Sequence, residues 1–158
     1  MVRPEIISIN AKKLVGLKMS MSLLNNKTFE LFSSFMPRLN EVQNRMDNNV
    51  LDLREYPKSY FDTFSPAILF TKWALVEVNT IDEIPSGMES YVLRSGNYAR
   101  FEHIGGKNRM AEKFQYIFRE WLPSSGYEID QRPHFEILPK NYKADDINAK
   151  DWIYIPIR

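Results

Sequence analysis

The apolar periodicity of this chain changes from two to about 3.6 and back again, twice over and in the same order, and few folds accept such a pattern. The first pass begins at Ile6-Ile7-Ser8-Ile9, breaks at Asn10 to Lys12, and returns through Leu14-Val15-Gly16-Leu17, with Met19, Met21 and Leu23 extending the second arm at period two. Asn25-Asn26 offers a helix cap. From Thr28 to Asp47, Phe32, Phe35, Leu39, Val42 and Met46 step by three and four, which predicts one buried helical stripe. Pro37 lies inside it and predicts a kink or an early break. Val50, Leu51 and Leu53 then open a strand. Pro57 to Pro66 is a loop carrying Tyr60, Phe61 and Phe64, apolar rings costly to leave in water, so it is expected to fold over something. Ala67 to Val78 is apolar at nearly every position, as in a strand covered on both faces.

After a linker over Asp82 to Gly87 the order repeats. Tyr91 to Arg94 is a strand, Ser95-Gly96-Asn97 a tight turn, and Tyr98 to Ile104 a returning strand. A helix follows from about Lys107 to Leu122, with Met110, Phe114, Ile117 and Trp121 on its inner face and Pro123 to Gly126 stopping it. Arg132 to Leu138 and Asp151 to Ile157 complete the set. The expected class is α+β: two strand–helix–strand–strand modules, about 1–84 and 85–158, in a single 158-residue domain with a ligand cleft between them.

Composition narrows what such a domain can do. Lys and Arg number 21 against 20 Asp and Glu, a net charge of +1, which lacks the basic surplus that direct nucleic-acid binding needs. Cysteine is absent, which removes disulfides, thiolate metal sites and a cysteine nucleophile together. The start, Met1-Val2-Arg3-Pro4-Glu5, has no long apolar leader, and no stretch approaches the ~20 apolar residues of a membrane span. A cytoplasmic protein without membrane attachment is expected.

Several segments resemble the GyrI-like family, which includes the effector-binding domains of AraC-type and MerR-type transcription regulators. They are Ile84-Pro85-Ser86-Gly87-Met88, Tyr98-Ala99-Arg100-Phe101-Glu102-His103-Ile104-Gly105, Trp121-Leu122 with Ser125-Gly126, Arg132-Pro133-His134-Phe135-Glu136-Ile137-Leu138, and Asp151-Trp152-Ile153-Tyr154-Ile155-Pro156-Ile157. The first half agrees more loosely, through Val15-Gly16-Leu17 and the Trp73 to Val78 strand. The resemblance implies paired modules around a ligand cleft, with the glutamate at the position of Glu136 meeting polar or cationic ligand groups at its base. It also implies two alternatives: hydrolysis of reactive cyclopropane-bearing compounds with the same glutamate assisting water, and protein interaction of the gyrase-inhibitor kind. The inhibitor's working segment is not recognisable here. The strand pattern begins at Glu5 or Ile6, so no helix-turn-helix is expected ahead of it. A macromolecular partner would be a second copy or a separate regulator protein.

Alternation in Phe135-Glu136-Ile137 predicts the two apolar residues against the helix and Glu136 on the opposite side, in the cleft. A solvated glutamate, or one paired with an arginine such as Arg100, is the plainer alternative. Trp73, Tyr98, Trp152 and Tyr154 are candidate cleft walls, since flat rings bury area and attract cations; packing in the core is the competing role for each. Trp152 and Tyr154 share one strand face, leaving Ile153, Ile155 and Ile157 for the core. Tyr60, Phe61 and Phe64 are candidates for a lid. His134 shares a face with Glu136 and so neighbours the cleft. His103 reads as structural. No H-E-x-x-H spacing or ligand cluster suggests a metal, and no motif suggests a cofactor.

Overall fold

The computed structural model describes residues 3–158; Met1 and Val2, part of the start read above for a leader, lie outside the described residues. Eight strands form one antiparallel sheet: β1 (Glu5–Ile9), β2 (Lys12–Met21), β3 (Val50–Glu55), β4 (Phe70–Glu77), β5 (Glu89–Leu93), β6 (Gly96–Ile104), β7 (His134–Leu138) and β8 (Lys150–Pro156). Their order across the sheet is β1-β6-β8-β7-β3-β4-β2-β5. Exchanging β1 to β4 with β5 to β8 returns the same order read from the other end. The centre of the sheet is the β3–β7 pair, where Asp52 lies opposite Glu136 and Arg54 opposite His134.

The expected hairpin between β5 and β6 does not form. Instead β1 pairs with β6 and β5 pairs with β2, so each half's first strand completes the other half's sheet edge. Residues 94 and 95 connect two strands that part at once, each pairing with a strand of the other half.

The first helix is shorter than its stripe predicts. It comprises α1 (Thr28–Phe35) and a tighter 3-10 segment, Met36–Glu41, with Pro37 in that segment's first turn. Pro37 lacks the N–H that an α-helix would need there, so the early break is realised. Leu31, Phe35 and Val42 are buried against Val15, Met21, Ala74 and Val76. Met46 is exposed. The second helix runs on after a tight turn at Gly106–Arg109 as α2 (Met110–Tyr116), a π-helical turn at Ile117–Trp121 and α3 (Leu122–Ser125), stopped by Gly126 at φ +81°. Its inner face carries Ile117, with Met110, Phe114 and Trp121 partly buried, over Phe101, Ile153, Ile155 and Ile157.

The sheet curls so that the face away from the helices closes on itself. Leu14, Leu51, Leu53, Trp73, Leu75, Leu93, Tyr98, Phe135 and Tyr154 fill that interior. β4 therefore contributes to both faces, as its continuous apolar run predicts. Trp121 packs edge-on against Phe101 at 5.1 Å yet remains half-exposed.

Ile153, fully buried between Phe101 and the second helix, should matter most to this half. Ile153→Ala is expected to lower stability by roughly 2–5 kcal/mol, and Trp121→Ala by less than the ~3–5 kcal/mol of a fully buried tryptophan. Denaturant midpoints measure both; an unchanged midpoint for Ile153→Ala would contradict the packing described.

Candidate ligand-binding site

The cluster under α1 and the cluster under the second helix share no residue. Between them, β3 and β7 present charged and polar side chains towards the helix side. On β3 these are Asp52 and Arg54, alternating with Leu51 and Leu53, which point into the closed interior. On β7 they are His134 and Glu136, alternating with Phe135 and Ile137. The expected alternation is present with its faces exchanged: Phe135 stacks on Tyr154 at 4.3 Å in the helix-free interior, and Glu136 is on the helix side opposite Ile153. Both faces of β7 are covered, and the apolar pair joins the larger apolar cluster of the helix-free side.

Glu136 is buried, 5% exposed, and its partner is Arg54 rather than Arg100: Arg54 Nη1 donates to Glu136 Oε1 at 2.9 Å. Arg100 instead donates to Glu5 at 2.7 Å and lies over Trp152. The Arg54 guanidinium also lies over the Phe114 ring, 5.4 Å from its centroid. Next to this pair, Lys72 Nζ stands 3.3 Å from Asp52 Oδ2 and donates to Thr28 Oγ1 at 2.9 Å. Asp151, at the start of β8, completes the row and is fully buried.

The row is not internally satisfied. Nε and Nη2 of Arg54, Oδ1 of Asp52 and both oxygens of Asp151 lack partners. In Arg38 the same two nitrogens grip Glu41 at 2.7 and 2.8 Å. A carboxylate buried without a donor is costly, so the carboxyl of Asp151 holds its proton: burial first, then the hydrogen bond and charge of Glu136, push it up to about 9. His134 is held neutral, its pKa forced well below the usual value by burial and by Arg54 and Arg132.

Aromatic rings roof the row. Tyr56 meets the His134 ring edge-on at 5.0 Å, Phe61 stacks on His134 at 5.1 Å, and Phe61 stacks on Phe118 of the second helix at 5.4 Å. Tyr60 is buried against Phe70, and Phe64 packs edge-on against Tyr60 with over half its surface exposed. The loop after β3 thus does fold over something, and Phe61 bridges it to the second helix. Burial also raises the Tyr56 hydroxyl to about 12.

The expected site residues therefore separate. Glu136 and His134 lie together in this row. Trp73, Tyr98, Trp152 and Tyr154 lie on the other face: Trp73 donates to Glu55 at 2.6 Å, Tyr98 donates to the Pro133 carbonyl at 2.9 Å, and Trp152 lies between Arg100 and Lys150. His103 is structural, its buried Nε2 donating to the Gly106 carbonyl at 2.9 Å. Asp52, Arg54, Lys72 and Asp151 were missed in the sequence. Their signal was a charged residue inside or at the start of an apolar strand, which must be paired or neutralised when buried.

The family of integron-associated effector binding proteins, Cass2, matches residues 5–157. The chain belongs to this family. The resemblance to GyrI-like effector-binding domains read from the sequence holds at the same level. No curated protein matches the sequence. Among solved structures, SAV2435 bound to tetraphenylphosphonium aligns with a TM-score of 0.71 at 14% identity, over 99% of this chain and 94% of that one. The integron cassette protein VCH_CASS2 of Vibrio cholerae gives 0.70 at 16% identity, covering 99% and 96%. The C-terminal domain of EcmrR gives 0.70 at 11% identity, covering 99% and 97%. At these identities the likeness speaks for the fold of this effector-binding chain. No helix among the described residues is long and apolar enough to cross a membrane.

The protonated state of Asp151 has a consequence for stability. Its folded pKa lies above its ordinary value of 3.8, so its contribution is full below that value and is lost as pH rises towards about 9. Asp151→Asn removes the titration, so the variant should gain on the wild type as pH rises from 5 to 8. Urea midpoints at the two pH values give the answer; a constant difference between the proteins would show that Asp151 is already ionised.

Proposed function

We propose that this protein senses or sequesters aromatic, amphipathic small molecules, which enter between α1 and the second helix above the β3–β7 pair. The observation that carries this reading is the buried row Asp52–Arg54–Glu136–Asp151, with unpartnered polar atoms, next to His134 under Tyr56 and Phe61 and with the Phe114 ring against Arg54. Such a place offers flat apolar walls and a charged floor, which is what an amphipathic ligand requires. It lies where the two proposed halves, about 1–84 and 85–158, meet. The loop over 57–69 acts as the lid, with Phe61 giving way to the ligand's ring. The tetraphenylphosphonium in SAV2435, four phenyl rings around a positive charge, is a ligand of the expected kind. A regulator protein is the proposed partner through which binding would be read.

Arg54 on Glu136 favours recognition over catalysis. A general base must be free to take a proton from water, and one oxygen of Glu136 already accepts from Arg54 at 2.9 Å. The hydrolase alternative thus gains no support from the geometry.

Calorimetric titration with tetraphenylphosphonium tests the location. Binding should saturate, and Phe118→Ala should weaken it roughly three- to tenfold, the range expected for one aromatic contact. Trp152→Leu, on the opposite face, should leave it unchanged. Weakening by Trp152→Leu but not by Phe118→Ala would move the ligand to the other face.

A further inference from the structure

Glu136 is the expected partner of a ligand cation, yet Arg54 already neutralises it. We propose that the ligand's cation is balanced instead by Asp151, which releases its proton to solvent on binding while the Arg54–Glu136 pair stays intact. This rests on the reading that an amphipathic cation enters above β3 and β7.

Glu136 lies opposite Ile153, and Asp151 is two residues from Ile153 on the same face of β8. Asp151 is fully buried, and neither carboxyl oxygen receives a hydrogen bond from any donor. Glu136, by contrast, is engaged at Oε1 by Arg54, and its negative charge disfavours a second one on Asp151. Loss of the proton that Asp151 carries would therefore add one negative charge to the row.

Charge counting decides the direction. Asp52 and Glu136 are negative, Arg54 and Lys72 positive, and His134 neutral, so with Asp151 protonated the floor sums to zero. A cation added to it would leave an uncompensated charge in a dry place, which is costly. Loss of the proton from Asp151, –COOH becoming –COO⁻ with H⁺ passing to solvent, restores the sum to zero. The compensation acts through the field at low dielectric and so reaches a delocalised cation that cannot hydrogen-bond.

The groups facing Asp151 permit this. Glu136 on β7 and Asp52 on β3 hold the proton on, and Arg54 on β3 works against them. His103 stands opposite on β6, already bonded to the Gly106 carbonyl. Lys113 of α2 is half-buried nearby, and the Tyr142 hydroxyl, raised by burial, stays neutral. Among the described residues no three of the acidic or histidine side chains are gathered to hold one metal ion, so a metal does not explain the row.

Tetraphenylphosphonium is the probe, because it has no proton of its own and any proton released comes from the protein. Calorimetry of the wild type near pH 7, in two buffers of different ionisation heat, should show close to one proton released per cation bound. The apparent affinity should rise with pH, by up to about tenfold per unit, and level off near the Asp151 value of about 9. Asp151→Asn should bind more weakly, release no proton and show no such slope. Infrared difference spectra of the wild type should lose a protonated carboxyl band on binding, a readout independent of how the variant folds. Saturable binding without proton release, or release that persists in Asp151→Asn, would overturn the inference and leave the ligand site standing. Absence of saturable binding would overturn both.

Discussion

The Arg54–Glu136 ion pair spans the only two strands through which the halves of the sheet meet at its centre. Both side chains are more than nine-tenths buried, and their strands β3 and β7 pair directly. Removing one partner of such a pair typically costs about 3–5 kcal/mol, because the other is left charged and dry. The pair therefore ties the two central strands together on their helix side. It also sets the chemistry of everything packed above it, since a neutralised glutamate cannot serve as a free anion.

The exchange of first strands explains why a polar seam can persist at the centre of a small domain. β1 and β5 each add to the opposite half, so the halves are held together at their outer edges as well as through β3 and β7. Each helix packs on an apolar cluster of its own. What remains between the two clusters is a polar strip of sheet, covered by Phe61 of the loop after β3 and by Phe114 and Phe118 of the second helix. The curled, helix-free interior holds much of the large apolar content, so the seam can carry charge without the fold failing. The proposed ligand site thus lies in the part of the molecule least committed to apolar packing.

Much of this was legible in the sequence, and the failures have one origin. The order of strands and helices, the covered β4, the break at Pro37 and the aromatic loop from Pro57 to Pro66 all follow from local periodicity and turn chemistry. Strand pairing did not, because alternation shows which residues share a face and not which strand lies alongside. The same ambiguity exchanged the faces of β7: Phe135 and Ile137 were separable from Glu136, but a strand covered on both sides offers two interiors. Trp73, Tyr98, Trp152 and Tyr154 resembled cleft walls because large rings do, yet they fill or border the closed interior. The partners of Glu136 were written plainly, as Asp52 and Arg54 between leucines, Lys72 within an apolar run and Asp151 heading the last strand. A charge in such a position is a statement about pairing, and which charge it pairs with is settled only in three dimensions.

The proposed ligand site is the seam between the helices and not the aromatic interior behind it. A crystal structure of the complex with tetraphenylphosphonium measures this directly. The account predicts phenyl rings between Tyr56, Phe114 and Phe118, with Phe61 displaced and Arg54 still on Glu136. Density over Trp73 and Tyr154 on the helix-free face, with Phe61 unmoved on His134, would contradict it.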